Sequence, residues 1–192
     1  MNLFILRHAS AGTRRANPLL DLKRPLDKEG KQHCLHLAHL LNALKINFDL
    51  VVSSPLKRSL QTAQLVATET GYETQILQSK ALAPEASVAD FHRLLQTCRD
   101  RENLLVVGHN PNLQLFLGSL LVADPRPLPH IANGAPALEE LASPQVRLRK
   151  GSIARLSLTR RPATLQALLD PRLVRALYAT STKSSRRKTS RK

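Results

Sequence analysis

The 192-residue chain has no tryptophan and only four phenylalanines, two tyrosines and one methionine. Its core must therefore be built from Leu, Val, Ile and Ala rather than from large rings. Cysteine is nearly as scarce: Cys34 and Cys98 stand far apart with neither C-x-x-C nor metal spacing. Buried free thiols are expected, and neither a disulfide nor a cysteine metal site. No run of about 18 apolar residues could span a membrane. No basic segment precedes the first apolar stretch, and Arg7-His8 interrupts it, so a signal peptide is not expected and the anticipated location is cytoplasmic.

Acidic residues are outnumbered, 14 against 29 Lys and Arg, for a net charge of +15. Part of this excess is local. The last ten residues, KSSRRKTSRK, hold six positive charges and no negative one, and subtracting them from +15 leaves +9. That balance favours anionic substrates or partners and is silent on fold. Residues 179–192 read as a basic disordered tail without core material. Lacking interleaved aromatics, the tail offers nucleic acid only non-specific, salt-sensitive contact, so nucleic acid is not the expected partner.

Against these absences stands a regular alternation of apolar runs and amphipathic segments. NLFILR (2–7), DLVVSS (49–54) and NLLVV (103–107) read as buried strands. Residues 28–45, with Leu37, Leu40, Leu41 and Leu44 at helical spacing, predict a helix. A second helix is predicted after Pro55, with Ser54 as its N-cap and Gly71 as its stop. ETQIL (73–77) predicts a short strand, and residues 87–99 and 111–121 predict further helices. SIARLSL (152–158) has the period-2 pattern of a strand with one covered face, and DPRLVRALY predicts a last short helix. The Pro-rich stretch 124–150 reads as an irregular surface excursion from a single domain spanning 1–178. The expected class is α/β, a three-layer sandwich with a mostly parallel central sheet.

In such sheets ligands bind beyond the carboxyl ends of the strands. The three best strands end in Arg7-His8, in Ser53-Ser54-Pro55 followed by Lys57 and Arg58, and in Gly108-His109-Asn110. Arginine's planar fork matches phosphate oxygens at any working pH, and a helix start after Pro55 adds free N–H groups. A histidine in that positive field tends to stay neutral, as a nucleophile must. His8 is thus the candidate nucleophile and Arg7 its phosphate clamp, with Ala9 to Gly12 leaving room for substrate. Arg24 either approaches this pocket or pairs with a carboxylate. His33, His36 and His39 sit about 60° apart on their helix and are expected to be ordinary helix residues rather than metal ligands.

LRHA, SSPLKRSLQTA and VVGHNP, in this order and each after a strand, resemble the signatures of the histidine phosphatase superfamily, whose fold is phosphoglycerate mutase-like. RPLDKEG (24–30) and GHNPNL are most similar to the small SixA-like phosphohistidine phosphatases. The resemblance implies that His8 is phosphorylated in turnover, that Arg7, Arg58 and His109 hold the phosphoryl group, and that no metal or other cofactor takes part. It implies a substrate that is either a protein phosphohistidine or a small phosphorylated metabolite, and a pocket fit for phosphate or sulfate. Larger members protonate the leaving group with a carboxylate. Glu85, in LAPEAS, lies in the corresponding part of this chain, and the alternatives of Glu85 as acid or of no acid stay open. A binding module that has lost turnover and a mutase are the remaining readings; both histidines and both arginines are present, which speaks for an enzyme.

Overall fold

A computed structural model describes residues 1–122 and 146–186. Most of the Pro-rich excursion and the last six residues therefore lie outside the described residues. Among these, six strands form one sheet: β1 (Asn2–Arg7), β2 (Leu50–Ser53), β3 (Leu77–Gln78), β4 (Asn103–Gly108), β5 (Ile153–Ser157) and β6 (Thr164–Leu169), in the order β3-β2-β4-β1-β5-β6. The first four are parallel, β5 runs antiparallel to β1, and β6 antiparallel to β5. Continuous apolar runs suit β1 and β4, because both faces of a central parallel strand are covered.

The helices are α1 (Pro18–Leu22), α2 (Lys28–Ala43), α3 (Lys57–Glu69), α4 (Val88–Thr97), α5 (Asn112–Leu121) and α6 (Pro171–Arg186), with a 3-10 turn at Lys80–Leu82. One core unites Phe4, Leu6, Val51, Leu105 and Val107 with Cys34, Leu37 and Leu41 of α2, Ala63 and Val66 of α3, and Val174 of α6. The opposite core unites Leu3, Ile5, Leu104 and Val106 with Phe91 and Leu95 of α4 and Leu113, Phe116 and Leu117 of α5. Alternate residues of one strand feed opposite cores, giving the expected three layers. Both cysteines are buried free thiols, and burial pushes the Cys34 thiol up to about 12.

Three local readings change, and TLQALL, which the sequence pattern left unassigned, takes a place in the sheet. The strand expected at 73–77 shrinks to Leu77–Gln78. Leu44 is the C-cap of α2 and is exposed, so it leaves the apolar stripe. TLQALL, rich in helix formers, is the edge strand β6, because the free edge of β5 pairs with it. The last helix extends to Arg186, beyond Tyr178, and His36 of α2 stacks on the Tyr178 ring at 4.5 Å. No helix among the described residues is long and apolar enough to cross a membrane.

Candidate active site

Sheet register decides which strand ends meet. Arg7 lies opposite Gly108, and Ser53 opposite Val107, so the next residues of β1, β2 and β4 emerge at one edge. His8 and His109 are both buried there, with ring centroids 5.0 Å apart and planes tilted by 55°. The His8 amide donates to the Gly108 carbonyl at 3.0 Å, which locks the two ends together.

The His8 ring has a fixed proton position. Its Nδ1 lies 2.8 Å from the Ala9 carbonyl oxygen, which can only accept. Nδ1 therefore carries the hydrogen, and Nε2 carries the lone pair. Burial lowers the ring's pKa to about 3, assisted by the charges of Arg58, Arg7 and Lys150 and opposed by the Ala9 bond. His8 is thus a neutral imidazole with a free lone pair on Nε2.

His109 is held at Nε2 by Ser54 Oγ, 2.9 Å away. Ser54 Oγ accepts the Leu56 amide at 3.4 Å; when its hydroxyl donates to Nε2, the His109 proton is on Nδ1. Burial, then the neighbouring His8 ring and the charges of Arg58 and Arg7, lower this ring's pKa to about 2. Ser54 thus does not cap α3 as its position suggested; the N-cap is Leu56, with no side-chain bond.

Both guanidiniums are anchored at one corner only. Arg7 Nη1 donates to the Leu148 carbonyl at 2.8 Å, and Arg58 Nη1 to the Asp21 carbonyl at 3.0 Å. Arg7 Nε, Arg58 Nε and His109 Nδ1 are all buried without a partner. Buried donors are rarely left unpaired; these three belong to the ring 5.0 Å from His8 and to the two arginines whose charges act on it. The charge and the donors suit a tetrahedral oxyanion.

Arg24, for which pocket or carboxylate stood open, takes the carboxylate. Its Nε donates to Asp21 Oδ1 at 2.8 Å, and Nη1 donates to the carbonyls of Ala11 and Gly12. Glu85 sits exposed on the turn before α4. That turn is fastened to α5 by Asn112 Nδ2, which donates to the carbonyls of Pro84 and Ala86. Among the described residues no cluster of His, Cys, Asp or Glu could hold a metal ion.

Several supports escaped sequence reasoning. Asp27 caps α2 through Gly30 N–H at 2.7 Å and also accepts from Ser10 Oγ at 2.6 Å and Gly12 N–H at 2.7 Å, clamping the loop after His8. Aspartate three residues before a helix-starting glycine was a legible cap signal. Gly30 permits this clamp, since a Cβ there would fall 2.0 Å from the Ser10 carbonyl oxygen. Residues 146–150, counted with the excursion, belong to the site: Leu148 O also accepts from Asn110 Nδ2 at 2.8 Å. Gly151 N–H donates to the carbonyls of Arg7 and His8 at 3.0 and 3.2 Å. His33 Nε2–H holds Gly151 O at 2.9 Å from α2. No local pattern announces that contact, which joins residues 118 apart in sequence.

A sequence model described as the histidine phosphatase superfamily (branch 1) matches residues 3–84. An uncharacterized protein of Picosynechococcus sp. is 35% identical over 116 residues, covering 59% of this chain and 68% of that protein. The structure of the protein histidine phosphatase SixA complexed with tungstate superposes with a TM-score of 0.72 at 21% identity, over 89% of this chain and 97% of that one. The alpha-ribazole phosphatase of Shigella flexneri gives 0.62 at 19% identity, over 89% and 97%. At these identities the structural likeness is one of fold.

Proposed function

The chain belongs to the histidine phosphatase superfamily, and from that premise we propose that it hydrolyses protein phosphohistidine through a covalent intermediate on His8. The observation that carries this reading is a histidine whose proton is committed to Nδ1, 5.0 Å from a second buried histidine and under the charge of two arginines whose Nε atoms are buried without a partner. His8 Nε2 attacks phosphorus, the Nε2–P bond forms, and the bond from phosphorus to the substrate nitrogen breaks. Water then attacks the phosphorus. The Nε2–P electron pair returns to His8, and a proton of the water goes to the released phosphate. In both steps Arg7, Arg58 and His109 neutralise the equatorial oxygens, an effect for which one donor is worth about 10²–10³ in rate.

The substrate class follows from the leaving group. An alkoxide needs an acid to protonate it. An imidazole with a proton on its distal nitrogen leaves neutral and matches the nucleophile that replaces it. The hydrogen-bond partners of His8 and His109 are the Ala9 carbonyl and Ser54 rather than a carboxylate, which supports a phosphoramidate over an alkyl phosphate, and the basic composition supports an anionic phosphoprotein. The test is turnover of a phosphohistidine-bearing protein beside a panel of phosphate esters, with a chelator present and His8→Ala as control. Loss of phosphohistidine that is abolished in the variant and indifferent to chelator is expected. Turnover of the esters alone would transfer the same site to a small phosphorylated metabolite and overturn the substrate assignment.

A further inference from the structure

Beside the site lies a surface that the chemistry does not use. Leu19, Leu20 and Leu22 of α1 are 70%, 59% and 48% exposed. Three of the eight largely exposed leucines among the described residues thus fall within four consecutive positions. Helix geometry explains their direction. At about 100° per residue, the three leucines share one arc and Asp21 points opposite to its centre. Asp21 faces the site, binding Arg24 through its carboxylate and Arg58 through its carbonyl. The leucines are what remains on the outer side.

The charge around them has one sign. Arg14, Arg15 and Lys23 are exposed, and the one acid within residues 13–23 is Asp21, consumed by its two arginines. A solvent-facing leucine arc flanked in sequence by exposed basic residues is unusual for a surface with no partner. It complements an apolar ridge bordered by carboxylates.

We infer that α1 and the preceding arginines form the docking surface for the phosphoprotein, which presents an acidic, amphipathic face next to its phosphohistidine. This rests on the phosphohistidine-protein reading above and extends it: α1 supplies the affinity for the protein body, and the buried donors supply affinity for the phosphoryl group. Since the α1 backbone is bonded to Arg58 at 3.0 Å, a partner seated on the leucines is held within reach of His8.

The experiment uses the full chain, a combined Leu19→Gln, Leu20→Gln, Leu22→Gln variant and a separate Arg14→Glu, Arg15→Glu variant. Glutamine keeps helix propensity, and Asp21 is untouched. Substrates are a histidine-phosphorylated acidic helical protein, free phosphohistidine and p-nitrophenyl phosphate. For each variant, KM for the phosphoprotein is expected to rise about tenfold or more. In the leucine variant its kcat, and kcat/KM for the two small substrates, are expected to stay within about twofold; the arginine variant, whose Arg14 charge acts on Arg58, is read by its KM for the phosphoprotein relative to that for the small substrates. An unchanged protein KM in both variants overturns the inference, as does a parallel loss on the small substrates, which would make α1 a structural support. Self-association of the wild type that the leucine variant abolishes, with protein KM unchanged, gives the surface to a second copy and equally overturns it. If the phosphohistidine reading itself is wrong, the wild type already fails on the phosphoprotein. If only the docking is wrong, the failure is confined to the variants.

Discussion

Replacing Gly151 by alanine tests the scaffold of the site at its tightest point. Gly151 has a φ of +82°, in the left-handed region, and a Cβ there would lie 2.4 Å from both Cδ2 and Nε2 of His33. The backbone conformation costs an L side chain about 1–2 kcal/mol. The overlap is separate. To make room the His33 ring must leave its 2.9 Å bond to the Gly151 carbonyl, and an unpaired buried carbonyl costs about 1–3 kcal/mol. Gly151→Ala should therefore destabilise by about 2–5 kcal/mol. In a His33→Ala background only the backbone part remains, so a double-mutant cycle should show a coupling of about 1–3 kcal/mol. Denaturant unfolding of the four proteins at neutral pH measures it. Additivity within about 0.5 kcal/mol, or a Gly151→Ala protein as stable as the wild type, would refute the argument. Activity should follow stability, because Gly151 N–H holds the carbonyls of Arg7 and His8, and a shift of about 1 Å in such a group can cost about 10²-fold in kcat.

Arg7→Lys keeps the charge but cannot both reach Leu148 O and present a second fixed donor; kcat/KM should fall about 10²-fold, and a near-normal value would remove Arg7 from the clamp. In free protein the His8 and His109 ring resonances should keep neutral positions from about pH 8 to 5, since both are shifted far below 6.5; an inflection near 6.5 in either would contradict the buried donor arrangement. The sign for stability follows: the unfolded rings protonate near 6.5 and the folded ones resist, so this stability is complete above about pH 6.5 and is lost as the pH falls toward 3. Asp27→Ala removes the acceptor shared by Ser10, Gly12 and Gly30 and should cost about 2–4 kcal/mol by denaturant unfolding. Burial raises the Asp27 pKa, yet the bonds from Ser10, Gly30 and Gly12 bring it below the usual carboxylate value. Its contribution is therefore present above about pH 4 and lost as the pH falls through the folded value, so the variant should show a flatter acid limb of Tm against pH.

Much of the architecture was legible because it is written locally. Strands β1, β2 and β4 are continuous apolar runs, and a strand buried on both faces must look like that whatever surrounds it. Their polar ends were legible for the same reason: the change from apolar to Arg-His, Ser-Ser or Gly-His marks where each chain leaves the sheet. A parallel sheet then puts those ends at one edge. The meeting of His8 and His109 needed only this rule, and the structure adds the 5.0 Å between their rings.

What tertiary structure alone decided are the contacts between distant segments. TLQALL becomes a strand because an open edge of β5 awaits pairing, which outweighs its helical composition. Ser54 looks like a helix cap but binds His109, 55 residues away. Arg24 pairs with Asp21, which also binds Arg58, and the turn that carries Glu85 is fixed by Asn112. His33 reads as one of three histidines on a helix, yet it meets a glycine from the far end of the chain that no other residue could replace. The physical reason is the same throughout. Secondary structure follows a periodicity carried within ten or so residues, whereas each of these side chains chose its partner from groups that only the packed layers bring within about 3 Å.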